Sequence, residues 1–285
     1  MNISLRDLLE AGVHYGHQTR RWNPRMKPYI YGAKNGIHVI DLQKTARGLV
    51  EATRFLQATA GNGGNVLFVG TKRSARNIIM EEAARCGGNW VNHRWLGGTM
   101  TNWGTVKKSI DRLNALERAR DEGRFDLLSK KEALTLSRDI ERMDRNLGGI
   151  KTMKGLPAAL FIVDPKREHL AVAEARALNI PIVALCDTNC DPQGITHVIP
   201  GNDDALKSIR LFTGAVADAF IEGRQGARRQ SGTYVSDDAE AGAEDVAVVQ
   251  KRAAADAAPA AEAAPAVAPV AEPAPPATEG DAAKA

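Results

Sequence analysis

The sequence predicts an α/β fold: a mainly parallel sheet of the flavodoxin or Rossmann kind, covered by helices. It also predicts a protruding antiparallel α-helical hairpin and a disordered C-terminal tail. Three observations predict this. Short, near-continuous apolar runs alternate with helical patterns, as strands buried on both faces require. The stretch from Thr105 to Gly148 has helical periodicity and no strand pattern. From Ser236 onward the chain is mostly Ala, Pro, Glu and Asp, without an aromatic residue or a large apolar face, so burial there cannot offset the entropy of ordering.

Val66-Leu-Phe-Val-Gly-Thr71 reads as a short buried strand. Ser74 is placed to cap the helix through Ile78, Ile79 and Ala83, which Gly87-Gly88 ends. Ala158 to Asp164 is a second strand, ended by Pro165. A helix from Glu168 to Leu178 leads to a third strand, Pro181 to Cys186. Val198-Ile199 is a short fourth, and Asp203 or Asp204 opens a helix reaching about Glu222. At the N-terminus a helix from Leu5 to Ala11 precedes a loop. Ile37 to Leu42 then reads as a strand, and a helix follows from about Thr45 to Ala60.

In the interrupting region, Val106, Ile110, Leu113 and Leu116 form one stripe, and Ala133, Leu136, Ile140, Met143 and Leu147 form another. Two helices joined near Gly123 to Ser129 match this pattern, too short for a free-standing coiled coil. The expected organisation is an α/β domain from 1–104 and 149–235, a hairpin insertion at 105–148 and a tail at 236–285.

The 285 residues carry a formal charge of +4. From Ser236 on, ten acids and three bases make the tail −7, which leaves the preceding residues at +11. A basic body suits a polyanionic partner, although a solvated positive surface has the same composition. Three sparse cysteines, Cys86, Cys186 and Cys190, give no disulfide framework and fit a reducing compartment. The first residues resemble neither a secretory signal nor a transit peptide, and no uncharged apolar stretch approaches the roughly 20 residues that span a bilayer. The expectation is a cytoplasmic protein with no membrane partner and no need of homo-oligomerisation.

Parallel α/β sheets often serve nucleotide enzymes. Here the turn Gly70-Thr-Lys-Arg-Ser74 lacks the second glycine and the length of a phosphate-wrapping loop, and no G-x-G-x-x-G follows a strand. Lys72, Arg73 and Arg76 are still placed to hold a phosphate at a helix N-terminus. Cys186, Cys190 and His197 could ligate zinc, but their spacing is not a zinc pattern, and His14 and His17 are a weaker metal possibility. Asp187 to Asp191 starts like a calcium loop but puts Pro192 where glycine is needed. A strand-end turn held by Asx hydrogen bonds is the simpler account. No catalytic constellation, cofactor site or metal site is expected.

The residues from Ala11 to Ile40 include no Asp or Glu. They carry Arg20, Arg21, Arg25, Lys27 and Lys34, interleaved with Trp22, Tyr29 and Tyr31. Guanidinium forks match phosphate oxygens, and flat aromatics stack on exposed bases. Five such contacts would give a salt slope of about −3.5 to −4.5, or a loss on the order of 100-fold between 50 and 200 mM salt. The aromatics alone fit a surface loop anchored to the core; the unopposed bases favour RNA. A second cluster, Trp90 to Trp103, holds three of the four tryptophans, with Arg94, Lys107 and Lys108 nearby. For Trp95 and Trp103, packing and RNA contact are equally open. The expected RNA-binding residues are therefore Arg20, Arg21, Trp22, Arg25, Lys27, Lys34, Arg94, Lys107 and Lys108.

At these residues the sequence resembles the bacterial small-subunit ribosomal protein S-two family. The matching segments run in order: Gly16-His-Gln-Thr-Arg-Arg-Trp-Asn-Pro-Arg-Met26, Tyr29-Ile-Tyr-Gly-Ala-Lys-Asn-Gly-Ile-His38, Phe68-Val-Gly-Thr-Lys72, His93-Arg-Trp-Leu-Gly-Gly-Thr-Met-Thr-Asn-Trp103 and Ile199-Pro-Gly-Asn-Asp-Asp204. The resemblance covers the body to about Glu222, and the tail departs from it. It implies an α/β domain with a projecting hairpin, bound to small-subunit ribosomal RNA near the head–body junction. It further implies contact with neighbouring ribosomal proteins, support for attachment of the large S-one protein, and no catalysis. It does not say which side chains touch RNA.

Overall fold

The computed structural model describes residues 3–227, so the expected tail lies outside the described residues. The chain opens with Leu5–Glu10 (α1). Its capping box has the Ser4 hydroxyl and the Asp7 carboxylate each accepting from the other residue's backbone N–H.

The loop expected next instead supplies two strands, which pair with the strand expected from Ile37 to form a small sheet. Tyr15–Gln18 (β1), Ile30–Lys34 (β2) and Ile37–Ile40 (β3) are antiparallel in the order β1-β3-β2. The cause lies in Asn35-Gly36. Lys34 pairs with Ile37, so two residues make the turn, at φ 52° and 74°. A primed two-residue hairpin needs that left-handed pair. Asp41 then caps Leu42–Gly61 (α2) by accepting from the Gln43 N–H, so this helix starts before the expected Thr45.

The main sheet has five parallel strands. They are Val66–Val69 (β4), Asn89–Val91 (β5), Ala159–Val163 (β6), Ile182–Cys186 (β7) and His197–Pro200 (β8), in the order β5-β4-β6-β7-β8. Relative to chain order this is the flavodoxin-like arrangement, with its switch point between β4 and β6. Alternate residues serve two cores. Val66, Phe68, Phe161, Val183 and Leu185 enter one, and Leu67, Val69, Leu160, Ile162 and Ala184 the other. Each fully buried Val, Leu or Phe contributes about 1.5–3 kcal/mol, which is why these strands read as unbroken apolar runs.

The first face is covered by α2, by Arg76–Cys86 (α3) and by a last helix over residues 206–227. Gly87, at φ 68°, ends α3. Ser74 does not cap it: its hydroxyl is buried without a partner. The turn before α3 already uses the Lys72 carbonyl to accept the N–H groups of Ala75 and Arg76, so no cap position is left at Ser74.

The second face takes His169–Ala177 (α6) and the base of a helical hairpin, Trp103–Asp121 (α4) and Lys130–Leu147 (α5). Gly123 at φ 73° and a Ser129–Glu132 capping box make the reversal. Ile110, Leu113, Ile140 and Leu147 are buried in the seam, whereas Leu127, Leu128 and Leu134 at the far end are exposed, so the hairpin projects. Lys151 Nζ lies 2.7 Å from Glu117 and 2.6 Å from Asp144, which ties the chain after α5 to both helices. Strand β5 was not expected from the sequence: it is a three-residue edge strand inside the tryptophan cluster.

Candidate RNA interface and the strand-end crevice

The basic segment sits on rigid backbone. Arg20 and Arg21 lie in one 3-10 turn, Thr19–Arg21, and Arg25 and Lys27 in another, Pro24–Tyr29, where the Asn23 side chain accepts the Arg25 N–H. The Thr19 N–H donates to the Gly36 carbonyl, which sets the first turn beside the hairpin that carries Lys34. Met26 points inward and is fully buried, so its neighbours face out. All four arginines and lysines of these turns are exposed, as are Lys34, Arg94, Lys107 and Lys108. Among the nine expected RNA-binding residues, only Arg25 forms an ion pair within the described residues, with Asp191. Trp22 is 37% exposed, with its ring 5.2 Å from that of His38.

Arg94, Lys107 and Lys108 form a second locus at the hairpin root. The loop between β5 and α4 is clasped by Glu174 of α6. Its carboxylate accepts from Trp95 Nε1 at 3.0 Å and from the backbone N–H of Gly98, Met100 and Thr101 at 2.8, 2.9 and 3.0 Å. The Thr101 hydroxyl adds a fifth bond. Burial pushes this carboxyl up, but Trp95 and the three N–H groups outweigh it and hold the group below its ordinary value. Trp95, 5% exposed, therefore packs, and Trp103 packs partly against the same core. Sequence reasoning missed Glu174. An acid on the apolar side of a helix was the only available signal.

Ligands of doubly wound α/β folds sit beyond the carboxyl ends of the strands at the switch point. Here that crevice is filled by the protein's own charges. Lys72, expected to hold phosphate, lies 2.7 Å from Asp203 Oδ1 and 2.6 Å from Asp204 Oδ1. Arg76 Nε donates to the Thr71 carbonyl. Asp203 does not open the last helix. An Asx turn at Asn202 leads into it: the Asn202 Oδ1 accepts from the Asp204 and Ala205 N–H groups, its carbonyl accepts from Ser208 Oγ, and the Ala205 carbonyl accepts from the Ile209 N–H. Asp203 turns inward instead, and burial, Asp164 and Asp187 push its carboxyl up to about 7 against the pull of Lys72.

Strand β1 closes the crevice. His17 Nδ1 lies 2.8 Å from Asp187 Oδ2, and the His17 backbone N–H donates to Thr188 Oγ1. The Asp187 contact raises the imidazole above its ordinary value despite burial. A Cβ at Gly16 would meet Thr188 at 2.7 Å, so only glycine lets the strand approach this closely. Donor atoms of His17, Asp187, Asp203 and Asp204 lie within 4.8 Å of one another, as do those of Asp164, Cys190 and Asp203. The cation that meets Asp203 and Asp204 here is the protein's own Lys72 ammonium, and His17 is held by Asp187. In β8, His197 pairs with Val183 while Pro200 pairs with Cys186. Three residues of strand, about 10 Å, thus separate imidazole from thiol. The Phe55 ring lies 4.6 Å from that of His197. Cys186 and Cys190 are buried, and burial pushes both thiols up, so they are inert.

No helix among the described residues is long and apolar enough to cross a membrane. The family model for ribosomal protein S2 matches residues 8–223. The small ribosomal subunit protein uS2 of Sorangium cellulosum (strain So ce56) is 56% identical over 223 residues, covering 78% of this chain and 80% of that protein. The matched span takes in the basic segment, the clasped loop, the hairpin and the strand-end crevice. The chain belongs to the ribosomal protein S2 family, whose members are structural components of the small ribosomal subunit and not enzymes.

Proposed function

We propose that this chain binds small-subunit ribosomal RNA through two loci, the segment Arg20 to Lys34 and the hairpin root at Arg94, Lys107 and Lys108. It also contacts neighbouring small-subunit ribosomal proteins and supports attachment of the large S-one protein. The observation that carries the RNA reading is the state of the cations. Eight of the nine singled-out residues have no ion pair among the described residues, and seven of those eight are cations, carried by 3-10 turns, a hairpin, the loop clasped by Glu174 and a helix. Such cations break no ion pair when they meet phosphates, and their backbones need no ordering. The protein-contact part rests on the resemblance and on exposed apolar side chains at the N-terminal face. Leu5, Leu9 and Tyr31 line one concavity there and are 50%, 55% and 82% exposed.

A variant with Arg20, Arg21, Arg25 and Lys27 changed to Ala tests the RNA role. In cell extract fractionated on a sucrose gradient, the parent chain is expected with small subunits and the variant at the top of the gradient. Equal co-sedimentation at physiological salt would sink the assignment of this segment.

A further inference from the structure

A cleft of about 620 Å³ runs between the Trp22–Pro24 corner and α6, and nothing derived so far uses it. One wall is Trp22, backed on one side by the His38 ring. This wall is pinned where the Asn23 N–H donates to the Thr188 carbonyl at 2.8 Å. The opposite wall carries Lys166, His169 and Arg176, the last two seven residues apart and so on one face of α6. Glu174 occupies another face of that helix and fixes it through the five-bond clasp. The cleft wall is thus as rigid as the core beneath it.

The charges select the occupant. No carboxylate pairs with Lys166 or Arg176 among the described residues. Asp191 is the only acid lining the cleft, and it is ion-paired to Arg25 at the rim. The site therefore lines one cleft with a partly exposed indole, two cations without an ion-pair partner among the described residues, and the Gln193 amide as donor and acceptor. A phosphate joined to a flat heterocycle matches that set, and the volume falls in the range of small-ligand sites. A base within a helix keeps both faces stacked, so the occupant must be unpaired.

We propose that this cleft takes one unpaired nucleotide of RNA, its base on Trp22 and its phosphate against Lys166 and Arg176. The inference rests on the RNA reading above and adds a base-reading pocket to it. Trp22 becomes a stacking platform, and two cations outside the basic segment become ligands.

The test uses the full chain with single-stranded oligo(U) of six nucleotides, followed by Trp fluorescence, and with small-subunit ribosomal RNA, followed by filter binding. The oligonucleotide is expected to quench fluorescence, and Trp22→Ala to abolish that quenching. Lys166→Ala with Arg176→Ala should weaken oligonucleotide binding about tenfold, and Trp22→Phe should retain most of it. All these side chains are exposed, so melting temperatures should stay near that of the parent. Quenching that survives Trp22→Ala, or equal affinity in the Lys166/Arg176 variant, overturns the proposal. So does equal quenching by inorganic phosphate, by poly-glutamate or by an RNA duplex. If the Arg20/Arg21/Arg25/Lys27 variant loses ribosomal RNA binding while the Lys166/Arg176 variant does not, the cleft alone fails. If both bind it as the parent does, the RNA reading fails with it.

Discussion

The strand-end crevice and the outer basic segment both carry cations and use them in opposite ways. In the crevice, Lys72 is bracketed by Asp203 and Asp204, and His17 is held by Asp187. Outside, Arg20, Arg21, Lys27 and Lys34 meet no acid among the described residues. The fold's usual ligand position has become an internal fastening between the strand ends and β1, and the cations proposed to bind RNA lie outside it, without ion-pair partners among the described residues. A lysine after a strand is therefore not evidence of phosphate binding until its neighbours are known. Pairing, more than position in the fold, separates the charges built into the structure from those proposed to bind RNA.

That contrast can be broken most forcefully at Glu174. We predict that Glu174→Ala destabilises the fold by about 4 kcal/mol in urea unfolding, because five donors lose their acceptor at roughly 1 kcal/mol or less each. A loss under 1 kcal/mol would show that the clasp is incidental. The same group gives a pH prediction. Its folded carboxyl lies below the ordinary value of about 4.5, so the stability it adds is fully present above that pH and is lost as pH falls through the folded value. Glu174→Gln should therefore flatten the acid limb of the stability–pH curve. An unchanged limb would contradict the assignment.

At Lys72, the Ala substitution should cost about 1–2 kcal/mol, since Asp203 and Asp204 lose their partner while the buried Asp203 carboxyl takes up a proton, and it should leave affinity for ribosomal RNA per folded molecule unchanged. Lost affinity with unchanged melting would reverse the contrast and restore Lys72 as a phosphate ligand. The four-base variant should show the converse: stability within about 0.5 kcal/mol per site of the parent, with a large loss of RNA binding. The smallest effect is expected at Arg25→Ala alone. Its exposed pair with Asp191 is worth about 0–1 kcal/mol, so chemical denaturation should barely register the change. A larger shift would move Arg25 to the structural side.

The parallel sheet was legible because Val66–Val69, Ala159–Val163 and Ile182–Cys186 face cores on both sides and must be apolar throughout. The hairpin was legible from its stripes. Of the small N-terminal sheet only the strand from Ile37 was legible; its two partners were missed although Asn35-Gly36 marks the hairpin, because prolines and bases around it read as irregular loop. The inward roles of Lys72, Asp203 and Glu174 were not legible. Their partners lie 131, 131 and 73–79 positions away, and no local pattern encodes such pairings. The same limit hid the cleft, whose walls come from residues near Trp22 and near Arg176.

The most direct test of the central claim is the salt dependence of binding to small-subunit ribosomal RNA for the parent and the Arg20/Arg21/Arg25/Lys27 variant. If each of the four cations meets one phosphate, the logarithmic slope should become shallower by about 3–4. A variant whose affinity and slope both match the parent's would contradict the account.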